Sequence, residues 1–296
     1  RSRARLDTFK KSGGLASSGT SLEDIMPGPI AVADVDADGD LDVFIGGRAV
    51  TGHYPQASVS ALLRNTTRSL DLAGGTLNQA IGIVNGAVFS DLDGDRFPEL
   101  IVATEWGPVR VFKNQKGKFS EATESLGLGG LTGLWQGVAT GDFDGDGRTD
   151  IVATNWGLNS SLSPSLINPP RLYYHFTDSS VPTSLILAAW DDRLKQYLPT
   201  RDLLSLFSGY AGLRGVFQSH REYAEAGVLK LMDYHPAAAH SVTAAVLQSM
   251  VFLNRKEGFE PKPLPPEAQL SPAFGVSVGD LDGDGIDDLF LAQNFA

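Results

Sequence analysis

Apolar residues along this chain come in short runs, each closed off by Gly, Asp or Asn. Four times a pair of such runs flanks an acidic stretch. The pairs are Ile30–Ala33 with Val43–Ile45, Gly86–Phe89 with Leu100–Val102, Gly137–Thr140 with Ile151–Ala153, and Phe274–Val278 with Leu289–Leu291. These runs are too short for helices and rich in branched residues, which predicts buried strands. Each acidic stretch therefore joins two neighbouring strands. Further strand–turn–strand patterns follow at Val109–Phe119, around Gly117, and at Met250–Phe259, around Gly258, with a related run at Ala61–Asn65.

Four strands per unit, with successive acidic stretches starting at 34, 91 and 142, is a repeat of 51–57 residues. A length prior of about 150 residues per domain would divide the 296 residues in two, but repetition at this period overrides it. The expected fold class is all-β: a β-propeller of four-stranded antiparallel blades forming one domain over 1–296, with about five blade units. The gap from 142 to 280 breaks the period. Within it Arg171–Tyr174 reads as a strand leading into a fifth loop, with His175, Thr177 and Ser179 where the acids would stand, hence a blade that has lost its metal. Residues 200–240 change character. Thr200–Phe207 has an N-cap-like Thr and i, i+3, i+4 apolar spacing, and Glu222–Met232 is also helical in pattern, so a helical insertion is expected there. The ends are expected to belong together, with strands in 3–20 completing the two-stranded C-terminal blade at 272–296; the alternative is that further blades follow in a longer protein.

The acidic stretches carry the chemistry. Counting from the first Asp, positions 1, 3, 5 and 9 are Asp34, Asp36, Asp38 and Asp42; Asp91, Asp93, Asp95 and Glu99; Asp142, Asp144, Asp146 and Asp150; Asp280, Asp282, Asp284 and Asp288. Calcium takes six to eight oxygens, and carboxylates at alternate positions of a tight loop converge on one point. Position 7 (Asp40, Phe97, Arg148, Ile286) offers a backbone carbonyl. Gly at position 6 permits a left-handed turn in three copies; the second has Arg96, whose side chain is expected to point outward. An EF-hand would need Glu at position 12, where this chain has Ile45, Val102, Ala153 and Leu291. Metal-free turns are the plain alternative, yet four carboxylates within nine residues repel one another unless a cation intervenes. About four calcium ions are expected, and magnesium, which retains its waters, is the weaker candidate.

The remaining composition mostly excludes. The net charge of −11 leaves no basic face for nucleic acid. No cysteine is present, so disulfides and thiolate sites are out. No apolar run approaches the ~18 residues of a membrane span. The chain begins at Arg1 rather than Met, and a processed chain is expected.

Val102–Phe112 (VATEWGPVRVF), Thr154–Asn159 (TNWGLN) and Leu264–Gln269 (LPPEAQ), together with the Asp loops, make the chain resemble the FG-GAP/VCBS repeats of integrin-α-type propellers. The narrower likeness is to bacterial proteins related to cartilage acidic protein that often end in an ASPIC/UnbV segment, which is not present here. The resemblance implies a calcium-binding propeller that is extracellular, on the cell surface or periplasmic. It implies no reaction.

Three functions are then open. The first is a non-enzymatic binding or adhesion module for protein or glycan. The second is a carbohydrate-active enzyme with a site at the propeller mouth, its acids drawn from Asp202, Glu222 or Asp233 in the insertion. The third is a lectin in which Trp106, Trp135 or Trp156 stacks on sugar; blade-to-blade packing competes as their role. His53, His175, His220, His235 and His240 show no paired ligand spacing, and Gly127–Gly133 has no phosphate-loop lysine.

Overall fold

The structure, a computed structural model, describes residues 25–66, 69–175, 184–209, 216–217, 219–232, 240–255 and 257–294. The expected N-terminal strands at 3–20 therefore lie outside the described residues, as do Thr177 and Ser179.

Antiparallel sheets dominate. The first sheet runs β1 (Pro27–Ala33), β2 (Asp42–Gly47), β3 (Ala61–Asn65), β4 (Leu70–Leu72), in chain order. The second runs β5 (Ile83–Ser90), β6 (Glu99–Gly107), β7 (Val109–Gln115), β8 (Lys118–Glu121), with the short β9 (Gly133–Leu134) on β6. In the third, β10 (Val138–Gly141) and β11 (Asp150–Ala153) pair onward with β16 (Met250–Arg255) and β17 (Gly258–Pro263). The last holds β18 (Ala273–Gly279) and β19 (Asp288–Gln293).

The hairpin at 250–259 thus completes the sheet begun at 138, and residues 154–249 are inserted between its second and third strands. That insertion builds a sheet of its own from β12 (Arg171–His175), β13 (Ser184–Asp191), β14 (Gln196–Pro199) and β15 (His240–Thr243), in the order β14-β13-β12-β15. The strand read at Arg171–Tyr174 is real, but its sheet is not the next member of the series: it lacks the sequential order of the repeats and sits within one of them. The expected helices are α1 (Leu203–Gly209), α2 (His220–Glu225) and α3 (Val228–Met232), between β14 and β15. The pattern Glu222–Met232 is broken at Ala226, whose extended backbone (ψ 121°) ends α2.

Packing explains why the strand runs are apolar without alternation. Successive side chains of a strand point to opposite faces. On β6, Leu100 and Val102 pack with Phe44 and Leu62 of the first sheet. Ile101 and Ala103, facing the other way, pack with Ile151 and Phe252 of the third. On β11, Val152 faces Val276, Val278, Leu289 and Leu291 of the last sheet. A sheet covered on both faces buries every position, and each large apolar side chain so buried contributes about 1.5–3 kcal/mol. The first strands β1, β5, β10 and β18 lie side by side in that sequence, so the four sheets form an arc. On the outer faces of the first and last sheets apolar side chains are exposed: Ile30 (63% exposed) and Val32 (51%) on β1, Phe290 (66%) on β19.

Candidate metal sites

All four acidic loops lie at one end of this arc, each joining the first and second strands of its sheet. Their backbones are built alike. Position 1 turns its carboxylate back on the loop, accepting the N–H of position 6: Gly39 at 2.9 Å, Arg96 at 2.9 Å, Gly147 at 2.8 Å and Gly285 at 3.1 Å. Position 5 accepts the N–H of position 7, from Asp40, Phe97, Arg148 and Ile286 at 2.8–2.9 Å. Position 9 closes the loop by accepting the N–H of position 2, from Val35, Leu92, Phe143 and Leu281 at 2.9–3.1 Å.

Two residues per loop are left-handed. Position 6 was expected; position 4 is the addition, with Gly94, Gly145 and Gly283 at φ 72–81° and Ala37 at 61°. The signal was in the sequence, since three of four copies carry Gly there. Arg96 (φ 74°) and Ala37 hold this conformation with a Cβ, at about 1–2 kcal/mol each. The Arg96 side chain is exposed, as expected.

Carboxylate oxygens converge in every loop. Asp34, Asp36 and Asp42 form one cluster, Asp91, Asp93 and Glu99 a second, Asp142, Asp144 and Asp146 a third, and Asp280, Asp282 and Asp288 a fourth, with ligand atoms within 4.8 Å of one another. Asp38, Asp95 and Asp284 stand outside their clusters, each bonded to the position-7 N–H, and Asp150 stands outside the third. The all-oxygen donor set suits a hard divalent cation. Asp36 Oδ1 is buried without a hydrogen-bond partner, as an oxygen awaiting a cation would be. Side-chain cations already lean on three clusters: Arg64 pairs with Asp36, Lys113 lies 3.6 Å from Asp93, and Arg255 lies 2.8 Å from Asp144 and 3.0 Å from Asp146. The fourth has no such ion pair among the described residues.

Position 9 does a second job. Asp42, Glu99 and Asp150 are buried, and burial, their largest influence, raises their carboxyl pKa values against the pull of backbone N–H donors. One such donor is an Asn that ends or nearly ends the third strand: Asn65 (2.8 Å), Asn114 (3.3 Å) and Asn254 (2.6 Å). The Asn114 side chain donates to the Val35 carbonyl in the preceding sheet's loop (2.8 Å) and to Pro98 (3.1 Å). Asn254 repeats this with Leu92 (2.9 Å) and Thr149 (3.0 Å). The first and second acidic loops are thus tied to the next sheet. Sequence reading missed these residues, although Asn stands one or two positions after an apolar run in all three copies. Asp287 makes the tie to the last sheet, accepting the Asp142 N–H at 2.9 Å.

The other candidates disperse. Trp135 is fully buried, packed edge-on to Phe252 with its Nε1 donating to Leu131, so it is core and offers sugar no face. Trp106 donates to Tyr54, and Trp156 sits edge-on to Phe274. Asp202 caps α1, accepting from Leu204 N–H and Ser205 N–H at 3.0 Å. Glu222 lines a cavity in the insertion, 3.7 Å from Lys230. Asp233 and His235 lie outside the described residues. Trp190, passed over in the sequence, lines the same cavity as Glu222.

Residues 91–153 match the family model of an FG-GAP-like repeat. The match begins at the second acidic loop and ends with β11, so it takes in two loops and Asn114, but not Val35 to which Asn114 is tied. Comparison with curated proteins finds no match. No helix among the described residues is long and apolar enough to cross a membrane.

Proposed function

We propose that this chain is a calcium-loaded propeller-type module whose metal ions hold one end together while the opposite end binds a protein or glycan. The observation that carries the reading is the recurrence of one oxygen cluster, with one hydrogen-bond scheme, at the same end of four successive sheets. Calcium would be held by the clustered carboxylates, with position 5 and the carbonyls of Asp40, Phe97, Arg148 and Ile286 completing the shells. Bound calcium would relieve the repulsion within each cluster and fix the loop to its neighbour.

The reading includes closure into a ring. The outward apolar positions Ile30, Val32 and Phe290 support it, because such strips are normally covered. Strands from 3–20 are the proposed completion of the blade at 272–296. The narrower likeness to bacterial relatives of cartilage acidic protein belongs to the same proposal. Exposed loop sites suit surroundings with high free calcium, so the proposed setting is extracellular, cell-surface or periplasmic. The partner surface is assigned to the end opposite the metal, where residues 48–60 and 154–249 supply long connections.

Native mass spectrometry of protein purified in calcium tests this directly. Four bound calcium ions are expected, retained against equal magnesium. Metal-free protein under those conditions would overturn the reading.

A further inference from the structure

We propose that the cavity between β13–β14 and the α2–α3 pair is a binding site for a neutral oligosaccharide. The cavity has a volume of about 550 Å³, inside the range of roughly 300–1,000 Å³ typical of small-molecule sites. This proposal gives a ligand class to the binding-module reading and rests on it for its biological setting.

One wall is aromatic. Trp190 and Tyr197 are cross-strand partners with ring centroids 5.3 Å apart, and Tyr173 on β12 lies 6.3 Å from Tyr197. Arg171 covers a face of Tyr197 at 4.4 Å, leaving half-buried Trp190 as the open platform. A sugar ring lays its C–H face on such a platform and directs its hydroxyls sideways. Both walls supply partners for them. From the helices Glu222 and Glu225 accept hydrogen bonds and Lys230 donates; from the hairpin Lys195 donates and Gln196 does both.

The charges decide the class. Two carboxylates and two ammonium groups line the cavity and balance, and Glu222 is already near Lys230. An anion would meet Glu222 and Glu225, while a cation would meet Lys195 and Lys230. A neutral, hydroxyl-rich ligand uses both signs and opposes neither. The walls are also fixed relative to each other. Gln196 Nε2 donates to the Glu225 carbonyl at 2.9 Å, joining the hairpin to α2.

Saturation-transfer NMR and calorimetry with maltotriose, cellotriose, xylotriose and mannotriose, in millimolar calcium, test the site. At least one probe is expected to bind. Trp190→Ala should weaken it about tenfold and Trp190→Phe, which keeps a ring face, should restore most of it. Far-UV circular dichroism and calcium-dependent melting should match the parent in each variant. Three results would overturn the site: no probe binding, binding indifferent to Trp190→Ala, or choline binding in place of the saccharides. If saccharides fail while melting still depends on calcium, the site alone is wrong. If saccharides bind while melting ignores calcium, the metal-module reading is wrong and the site stands.

Discussion

The two ends of the sheet arc are built on opposite rules. At the acidic end four loops repeat one backbone scheme nearly bond for bond, down to position 9 accepting the N–H of position 2. At the other end the links between second and third strands share nothing: residues 48–60 in the first sheet, Pro108 alone in the second, and 154–249 in the third. Repulsion among clustered carboxylates tolerates few geometries, so the acidic end is repeated. The opposite end need only return the chain to its sheet, so it can carry an inserted sheet, three helices and a cavity. Metal dependence should therefore belong to one end and ligand recognition to the other.

Chelation probes this contrast with the largest expected effect. A ligand at a hundred times its Kd stabilises by about 2.7 kcal/mol per site, so four sites could account for most of the stability of a domain. Scanning calorimetry with excess EGTA should show a fall in Tm of tens of degrees, restored by calcium and not by magnesium. An unchanged Tm would remove the metal from the account of this end.

The inter-sheet tie comes next. Asn114 is buried and its side chain bonds Val35, Pro98 and the Gly117 N–H, so Asn114→Ala should cost about 3 kcal/mol. Asn65 occupies the same place in the first sheet, where no preceding loop is among the described residues. Asn65→Ala should stay within about 0.5 kcal/mol in urea denaturation. Equal costs would mean that the tie is not what Asn contributes.

Backbone strain predicts a smaller gain. Arg96→Gly should stabilise the calcium-loaded protein by about 1 kcal/mol, read as a rise of a few degrees in Tm. The same substitution at Gly-bearing loops is not available, which makes the second loop the natural place to measure it.

The last effect lies in the insertion and is read through pH. Burial pushes the Tyr223 hydroxyl up to about 12, with Asp202 adding to the rise. Its folded pKa exceeds the unfolded value near 10, so the folded state holds the proton longer. The resulting stability is complete below pH 10 and lost as pH rises through about 12. Urea midpoints should fall between pH 9 and pH 11.5 in the parent, and fall less in Tyr223→Phe.

How much of this was legible in the sequence follows from which interactions are local. The strands beside each loop and the acids at fixed spacing are local patterns, and both were read correctly from residues 34–42, 91–99, 142–150 and 280–288. The pairing of β11 with β16 across the insertion was not, because nothing in Ile151–Ala153 marks a partner near residue 252. Trp135 looked like a candidate sugar platform, yet its position between two sheets makes it core. Trp190 drew no notice because its significance depends on Tyr197 across the hairpin and on Glu222 and Glu225 from helices further along the chain. The left-handed position 4 was readable in Gly94, Gly145 and Gly283, but only once the loop's hydrogen bonding explained why glycine would be wanted there.

The central claim is that the acidic end is a set of calcium sites. Calorimetric titration of calcium into chelator-stripped protein tests it most directly. The account predicts a stoichiometry near four. A single weak site, or no heat of binding, would contradict it and leave the four clusters as hydrogen-bonded turns.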